Sequence, residues 1–217
     1  MYLPPPVEIG SYSYSPSKGG RLRVLIGERE LDRPRNNVRR FLTAASSLPP
    51  RLAAKMEVVL VGEHHKGLTA ALNRLRGAGA IVRRFGYLQR DMFLRLLESS
   101  QLTVCLRDIW DQGGYWVLEG MARGIPTLLA DSPAFRDLGP AGVTVAYVDV
   151  GQVEAITGSL TYLLDNPSEL EKMSRNSYGF MVRNHSLQSV GARMRKAYED
   201  LLSARSQPPD LASLSKS

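Results

Sequence analysis

Residues 102–130 read LTVCLRDIWDQGGYWVLEGMARGIPTLLA. The run Leu102-Thr103-Val104-Cys105-Leu106 is short, nearly continuous in apolar character and ended by charge, the pattern of a strand buried on both faces. A polar segment containing Gly113-Gly114 follows, and then Val117, Leu118 and Met121 recur at helical spacing. Gly124-Ile125-Pro126 closes that helix, and Thr127 to Ala130 is a second apolar run. Two strands separated by a helix belong to a parallel sheet, because antiparallel neighbours need only a short turn between them.

The same unit repeats toward the N-terminus. Leu22 to Ile26 predicts a buried strand ending at Gly27, and Val38, Phe41, Leu42 and Ala45 a helix running to Pro49-Pro50. Val58 to Val61 before Gly62 is a second strand, and Leu68, Ala71, Leu72 and Leu75 mark a helix ending near Gly77. Ala80 to Phe85 reads as a strand, and Asp91 to Glu98 as a helix presenting Met92, Phe93, Leu96 and Leu97. Toward the C-terminus come a strand at Val143 to Val148 and helices near Val153 to Leu164, Pro167 to Met181 and Leu187 to Ala204. The expected fold is α/β, a Rossmann-like doubly wound parallel sheet. The expected division is a linker or interlobe segment over 1–20, one domain over 21–205, and a flexible tail over 206–217, both ends being rich in Pro, Ser or Gly. Ligands bind such sheets beyond the carboxyl ends of the strands. The loops to inspect are therefore Gly27 to Asn37, Gly62 to Lys66, Gly86 to Arg90, Arg107 to Gly114 and Asp131 to Asp137.

Composition narrows the class. The 217 residues, 43% hydrophobic and 23% charged, suit one globular core. No run approaches a membrane span, and Pro4-Pro5-Pro6 stands where a signal peptide would carry its apolar stretch, so a cytoplasmic chain is expected. The single cysteine, Cys105, lies in an apolar run and reads as a core residue. The net charge of +7, with arginine clusters at 33–40 and 74–84, suits phosphate-bearing ligands or peripheral contact with the anionic inner face of a membrane. Nucleic acid is disfavoured, since no aromatic interleaving, zinc-finger spacing or helix-turn-helix pattern accompanies the charge. There is no Gly-x-x-x-x-Gly-Lys-Ser/Thr, and Gly77-Ala78-Gly79 precedes a strand where a dinucleotide fingerprint would follow one. His64, His65 and His185 have no metal-ligand spacing, so no metal is expected, and no Gly-x-Ser-x-Gly occurs.

The constellation that does carry chemistry is Asp108 to Pro126. It follows a strand and opens a helix, so backbone N–H groups around Gly113, Gly114 and Tyr115 can face an anionic or hydroxyl-rich ligand. Glu119, one turn into that helix, can accept hydrogen bonds from a ribose diol. A helix-terminal acid and a solvated helix position are the plain alternatives for Asp111 and Glu119 taken singly. One of Tyr115 and Trp116 reads as a core aromatic.

Asp111, Glu119 and the following Gly120-Met121-Ala122-Arg123-Gly124-Ile125-Pro126 resemble glycosyltransferase family 4. That family carries Glu-x7-Glu in the setting Glu-Gly-Phe-Gly-x5-Glu-Ala-Met-Ala-x-Gly-x-Pro in the C-terminal lobe of a two-lobed GT-B architecture. Here Asp replaces the first Glu, and Gly113-Gly114 replaces the aromatic-glycine step. The resemblance extends from about Arg21 to Leu202, through Val58 to Gly62, Phe85-Gly86-Tyr87-Leu88, the segment Ala130 to Asp137 and Leu164-Asp165-Asn166-Pro167. It implies that Glu119 holds the ribose and Asp111 contacts the donor sugar, while Gly86, Tyr87 and Leu88 read the base edge. It also implies that cations in the Gly27 to Asn37 loop neutralise the diphosphate, with Arg29 and Arg35 as the best equivalents and Arg33 a competitor.

The implied function is retaining transfer of a sugar from a nucleoside diphosphate sugar to an acceptor hydroxyl, with no obligatory cofactor. The acceptor would be a glycan, a lipid-linked sugar or a small molecule, and an N-terminal lobe or partner subunit would complete the cleft. Two readings stand beside it: a noncatalytic nucleotide-sugar-binding or interaction module, and a GT-B sugar epimerase.

Overall fold

The computed structural model describes residues 4–16, 20–63, 66–107, 114–133 and 135–206. Six strands form one sheet: β1 (Leu22–Glu30), β2 (Met56–Glu63), β3 (Ile81–Phe85), β4 (Leu102–Cys105), β5 (Thr127–Ala130) and β6 (Ala146–Val148). Their order is β3-β2-β1-β4-β5-β6, and every pairing is parallel. The helices are α1 (Val38–Ser46), α2 (Pro50–Ala53), α3 (Thr69–Gly77), α4 (Arg90–Glu98), α5 (Tyr115–Met121), α6 (Val153–Asp165), α7 (Pro167–His185) and α8 (Leu187–Ser206). The expected Rossmann-like, doubly wound sheet is the observed architecture, and its strand order reverses between β1 and β4.

Strand periodicity explains the layers. Successive side chains point to opposite faces, so Val24, Ile26, Val58 and Leu60 meet Phe41 and Leu42 of α1, Leu72 of α3 and Leu160 of α6 on one side. Leu25 and Val59 face the other way onto Leu97 of α4, while Cys105 and Leu129 meet Val117 and Met121 of α5. Both faces are covered, and that is why the strands read as continuous apolar runs.

Three boundaries differ from expectation. β1 does not stop at Gly27 but continues to Glu30, its register with β2 shifting between Gly27 and Glu30 so that Glu30 pairs with Glu63. Hydrophobicity ends at Ile26, yet Glu28 is buried at 4% exposure, because a partner on β4's exit neutralises it. The final strand is shorter than Val143 to Val148, since residues 140–145 turn back on themselves through the hydrogen bond from Gly142 N to Val145 O at 2.8 Å. Pro49-Pro50 ends α1 but also starts α2, with Pro50 in the first turn, where a missing N–H costs nothing.

Residues 4–16 lie along α7. Val7 N donates to His185 O at 2.8 Å, Tyr12 Oη and Ser174 Oγ share a hydrogen bond of 2.7 Å, and Ser13 N donates to Arg123 O at 3.0 Å. Of the tail expected over 206–217, Ser206 is the last residue of α8 and residues 207–217 lie outside the described residues. Among the described residues, no helix is long and apolar enough to cross a membrane.

At the β1–β2 junction, Gly62 has φ +137, and a Cβ there would fall on the Glu28 carbonyl oxygen. Both the backbone angle and the space exclude a side chain. Gly62→Ala is expected to cost about 2 kcal/mol or more. Urea denaturation should show a lower midpoint at an unchanged slope; an unchanged midpoint would contradict the close approach of these strands.

Candidate functional site

An open cleft of about 220 Å³ sits at the carboxyl ends of β1 and β2. Its floor is Gly27, where a Cβ would come within 3.1 Å of the Phe93 ring and 3.5 Å of Trp116, so the absence of a side chain preserves the space. Phe93 on α4 and Trp116 on α5 meet edge to face, with centroids 6.4 Å apart and planes at 90°. Val61 and Gly62 form one wall, and Arg29, Tyr87 and Leu88 form the rim. Tyr87 is 77% exposed, as a residue on the open side of the cleft would be.

Glu119 lies one turn beyond Trp116 on α5. Its side chain is 13% exposed, and its Oε1 is 2.6 Å from Nη1 of Arg90, the first residue of α4. Arg123, just past the end of α5, has its Nε 3.0 Å from Oε1 of Glu98, the last residue of α4. Two ion pairs and one aromatic contact therefore join α4 to α5 beside the cleft.

Beneath it, β1 and β4 exchange a buried ion pair. Arg107 Nε is 3.3 Å from Glu28 Oε2, with side chains 5% and 2% exposed, and donates to Asn36 Oδ1 at 3.3 Å. Asn36 Nδ2 donates to Glu30 O at 2.6 Å, and Asn37 Nδ2 to Leu106 O at 2.7 Å. Asn37 has φ 53, a left-handed conformation that Asn tolerates better than most residues, and it starts α1. The Cys105 thiol lies 3.9 Å from Glu28 Oε1. Burial, with the Glu28 charge added, pushes that thiol far above its ordinary range, so it is an inert core group as expected.

The structure brings some of the expected site residues together and separates others. Arg29, Tyr87 and Leu88 line the cleft, Gly86 directly precedes Tyr87, and Glu119 is outside the lining, one turn beyond Trp116, which belongs to it. Gly114 is buried just before α5, Tyr115 opens that helix at 45% exposure, and Trp116 is the core aromatic of the two. Arg33 pairs with Glu30 at 2.6 Å, and Arg35 lies in the 3-10 turn Pro34–Asn36; neither contributes to the cleft wall. Asp111 and Gly113 lie outside the described residues. Sequence reasoning did not single out Arg90, Phe93, Glu28 or Arg107. The one available signal was charge placed immediately after apolar strand residues, at Glu28 and Arg107.

Residues 31–180 match the family model of the glycosyl transferases group 1. The chain is 27% identical over 196 residues to the MMP alpha-(1->4)-mannosyltransferase of Mycolicibacterium hassiacum, covering 89% of this chain and 47% of that protein. The Anabaena protein HepE, solved in complex with UDP-glucose, superposes with TM-score 0.68 at 15% identity, over 83% of this chain and 49% of its own. The C-terminal domain of the group 1 glycosyl transferase LpcC from Francisella tularensis superposes with TM-score 0.66 at 15% identity, over 77% of this chain and 88% of its own. The chain thus spans about half the length of the mannosyltransferase and of HepE.

The buried pair generates a stability test. Arg107→Met leaves the Glu28 carboxylate out of water without its cation and should cost roughly 3–5 kcal/mol. Adding Glu28→Leu to Arg107→Met should recover much of that loss, since no lone charge then remains buried. Denaturant unfolding of Arg107→Met, Glu28→Leu and the double variant closes the cycle; a double-variant loss equal to the sum of the two single losses would mean that the two side chains are not coupled.

Proposed function

Because the chain belongs to the glycosyl transferases group 1 family, we propose that it is the donor-binding lobe of a retaining glycosyltransferase. Its donor would be a nucleoside diphosphate sugar, and its acceptor a hydroxyl on a glycan, a lipid-linked sugar or a small molecule. The single observation that carries this reading is the cleft at the carboxyl ends of β1 and β2, whose lining includes Trp116, one turn before Glu119 on α5. That is where a doubly wound sheet receives a nucleotide.

In this reading the base lies against Tyr87 and Leu88, with the Gly86 to Leu88 backbone along its edge. Glu119 accepts from the ribose hydroxyls. Arg29, exposed on the rim and without an ion pair among the described residues, stands nearest the diphosphate of the three expected arginines. Arg33 and Arg35 lie beyond the end of β1 and add to the positive field there. The same reading assigns the phosphate side to backbone N–H groups of Gly113, Gly114 and Tyr115, and contact with the transferred sugar to Asp111, of which Asp111 and Gly113 lie outside the described residues.

The chemistry these groups supply is electrostatic. As the bond from the anomeric carbon to the diphosphate oxygen lengthens, negative charge grows on the leaving phosphate. Fixed cations and backbone dipoles already pointing there stabilise that charge without reorganising. No step requires a protein nucleophile. The acceptor hydroxyl would arrive from a second lobe or a partner subunit facing the cleft, a reading supported by the two relatives that are about twice as long.

Calorimetric titration of the intact chain with UDP, GDP and ADP and their sugars tests the proposal. One nucleotide should bind in the micromolar to millimolar range, and Glu119→Ala should weaken it about tenfold, the worth of a charge-assisted hydrogen bond. Absence of binding by any of the three to the folded chain would overturn the donor-lobe reading in favour of a noncatalytic interaction module.

A further inference from the structure

Arg90 is in an unfavourable place for a cation. It is the first residue of α4, at the positive end of the helix dipole, and Gln89 before it provides no side-chain cap. The stability of α4 therefore does not account for an arginine there. Nor does the joining of α4 to α5, which the Phe93–Trp116 contact and the Arg123–Glu98 pair already accomplish. The Arg90 side chain is also 64% exposed, and ion pairs so open to solvent contribute little to folding.

The arginine does have one specific effect. Its Nη1 lies 2.6 Å from Oε1 of Glu119, a carboxylate only 13% exposed, and no other described side chain pairs with that carboxylate. A glutamate has three side-chain torsions to restrain before its oxygens can meet a ligand, and ordering them on binding costs entropy. An ion pair made beforehand removes part of that cost. With Oε1 engaged, Oε2 is left to accept from a hydroxyl.

We infer that Arg90 is a positioning residue for ribose recognition: it holds the Glu119 carboxylate by one oxygen so that the other accepts from the ribose hydroxyls of the donor. This rests on the donor-lobe reading. It assigns to Arg90 a part in discriminating a ribonucleotide from the same nucleotide lacking those hydroxyls, without contact between Arg90 and the ligand.

The test compares two ligands on three proteins. Whichever of UDP, GDP and ADP binds best is titrated beside its 2′,3′-dideoxy analogue into the intact chain, Arg90→Gln and Arg90→Lys, with thermal melting to verify folding. The unsubstituted chain should prefer the ribonucleotide by about tenfold. Arg90→Gln should remove most of that preference while leaving affinity for the dideoxy analogue within about twofold, and Arg90→Lys should retain part of it. If Arg90→Gln weakens both ligands equally, the pair is only a tie between helices and the inference fails; if it changes neither, the inference fails as well. Equal affinity of the unsubstituted chain for both ligands removes the ribose role of Glu119 itself, and no binding of any nucleotide removes the donor reading on which both depend.

Discussion

Glu28 and Arg107 are withdrawn from water at the point where the sheet's strand order reverses, and the geometry of the candidate site depends on their staying together. Each charge loses several kcal/mol of hydration, which only close pairing and further hydrogen bonds can offset. Asn36 supplies one of those bonds, and Asn37 ties the following loop to Leu106. The result connects the exit of β1, the exit of β4 and the start of α1. Replacing such a network with apolar residues need not destabilise a protein. Its consequence here is positional: β1 stays paired past its apolar stretch and delivers Arg29 to the rim of the cleft.

From that junction the cleft follows from two space constraints. Gly62 allows β2 to pass against the Glu28 carbonyl, and Gly27 keeps its own side of the floor clear beneath Phe93 and Trp116. These glycines act through different physics. At Gly62 the backbone angle itself requires glycine, whereas at Gly27 only the neighbouring rings exclude a side chain. The aromatic pair fills the seam between α4 and α5, so the cleft has a rigid apolar side and, across it, an exposed rim carrying Arg29 and Tyr87.

The two ion pairs of the α4–α5 seam differ in burial. Arg123 is nearly buried against Glu98, whereas Arg90 reaches Glu119 from the solvent side. A buried cation with a carboxylate partner holds the helices in register; an exposed cation on a half-buried carboxylate restrains the carboxylate more than the helices. The division places Glu119 on a short, well-anchored helix, where precision is easier to maintain than on a loop.

The sheet was legible in the sequence because burial on both faces produces apolar runs such as Val58 to Val61, and amphipathic helices leave a period of three to four residues, as in Val38, Phe41, Leu42 and Ala45. Both signals are local, so the fold class and the approximate strand positions could be read without coordinates. The spacing of Asp111 and Glu119 likewise pointed to the loop and helix after β4. Tertiary structure alone decided the extension of β1 to Glu30, because Glu28 is acceptable in a strand only when Arg107, far along the chain, neutralises it. It alone also placed Arg90 on Glu119 and Phe93 against Trp116. Periodicity records which face a residue presents; which charge or ring it meets there is set by strand order and helix packing, and those are properties of the whole sheet rather than of any window of sequence.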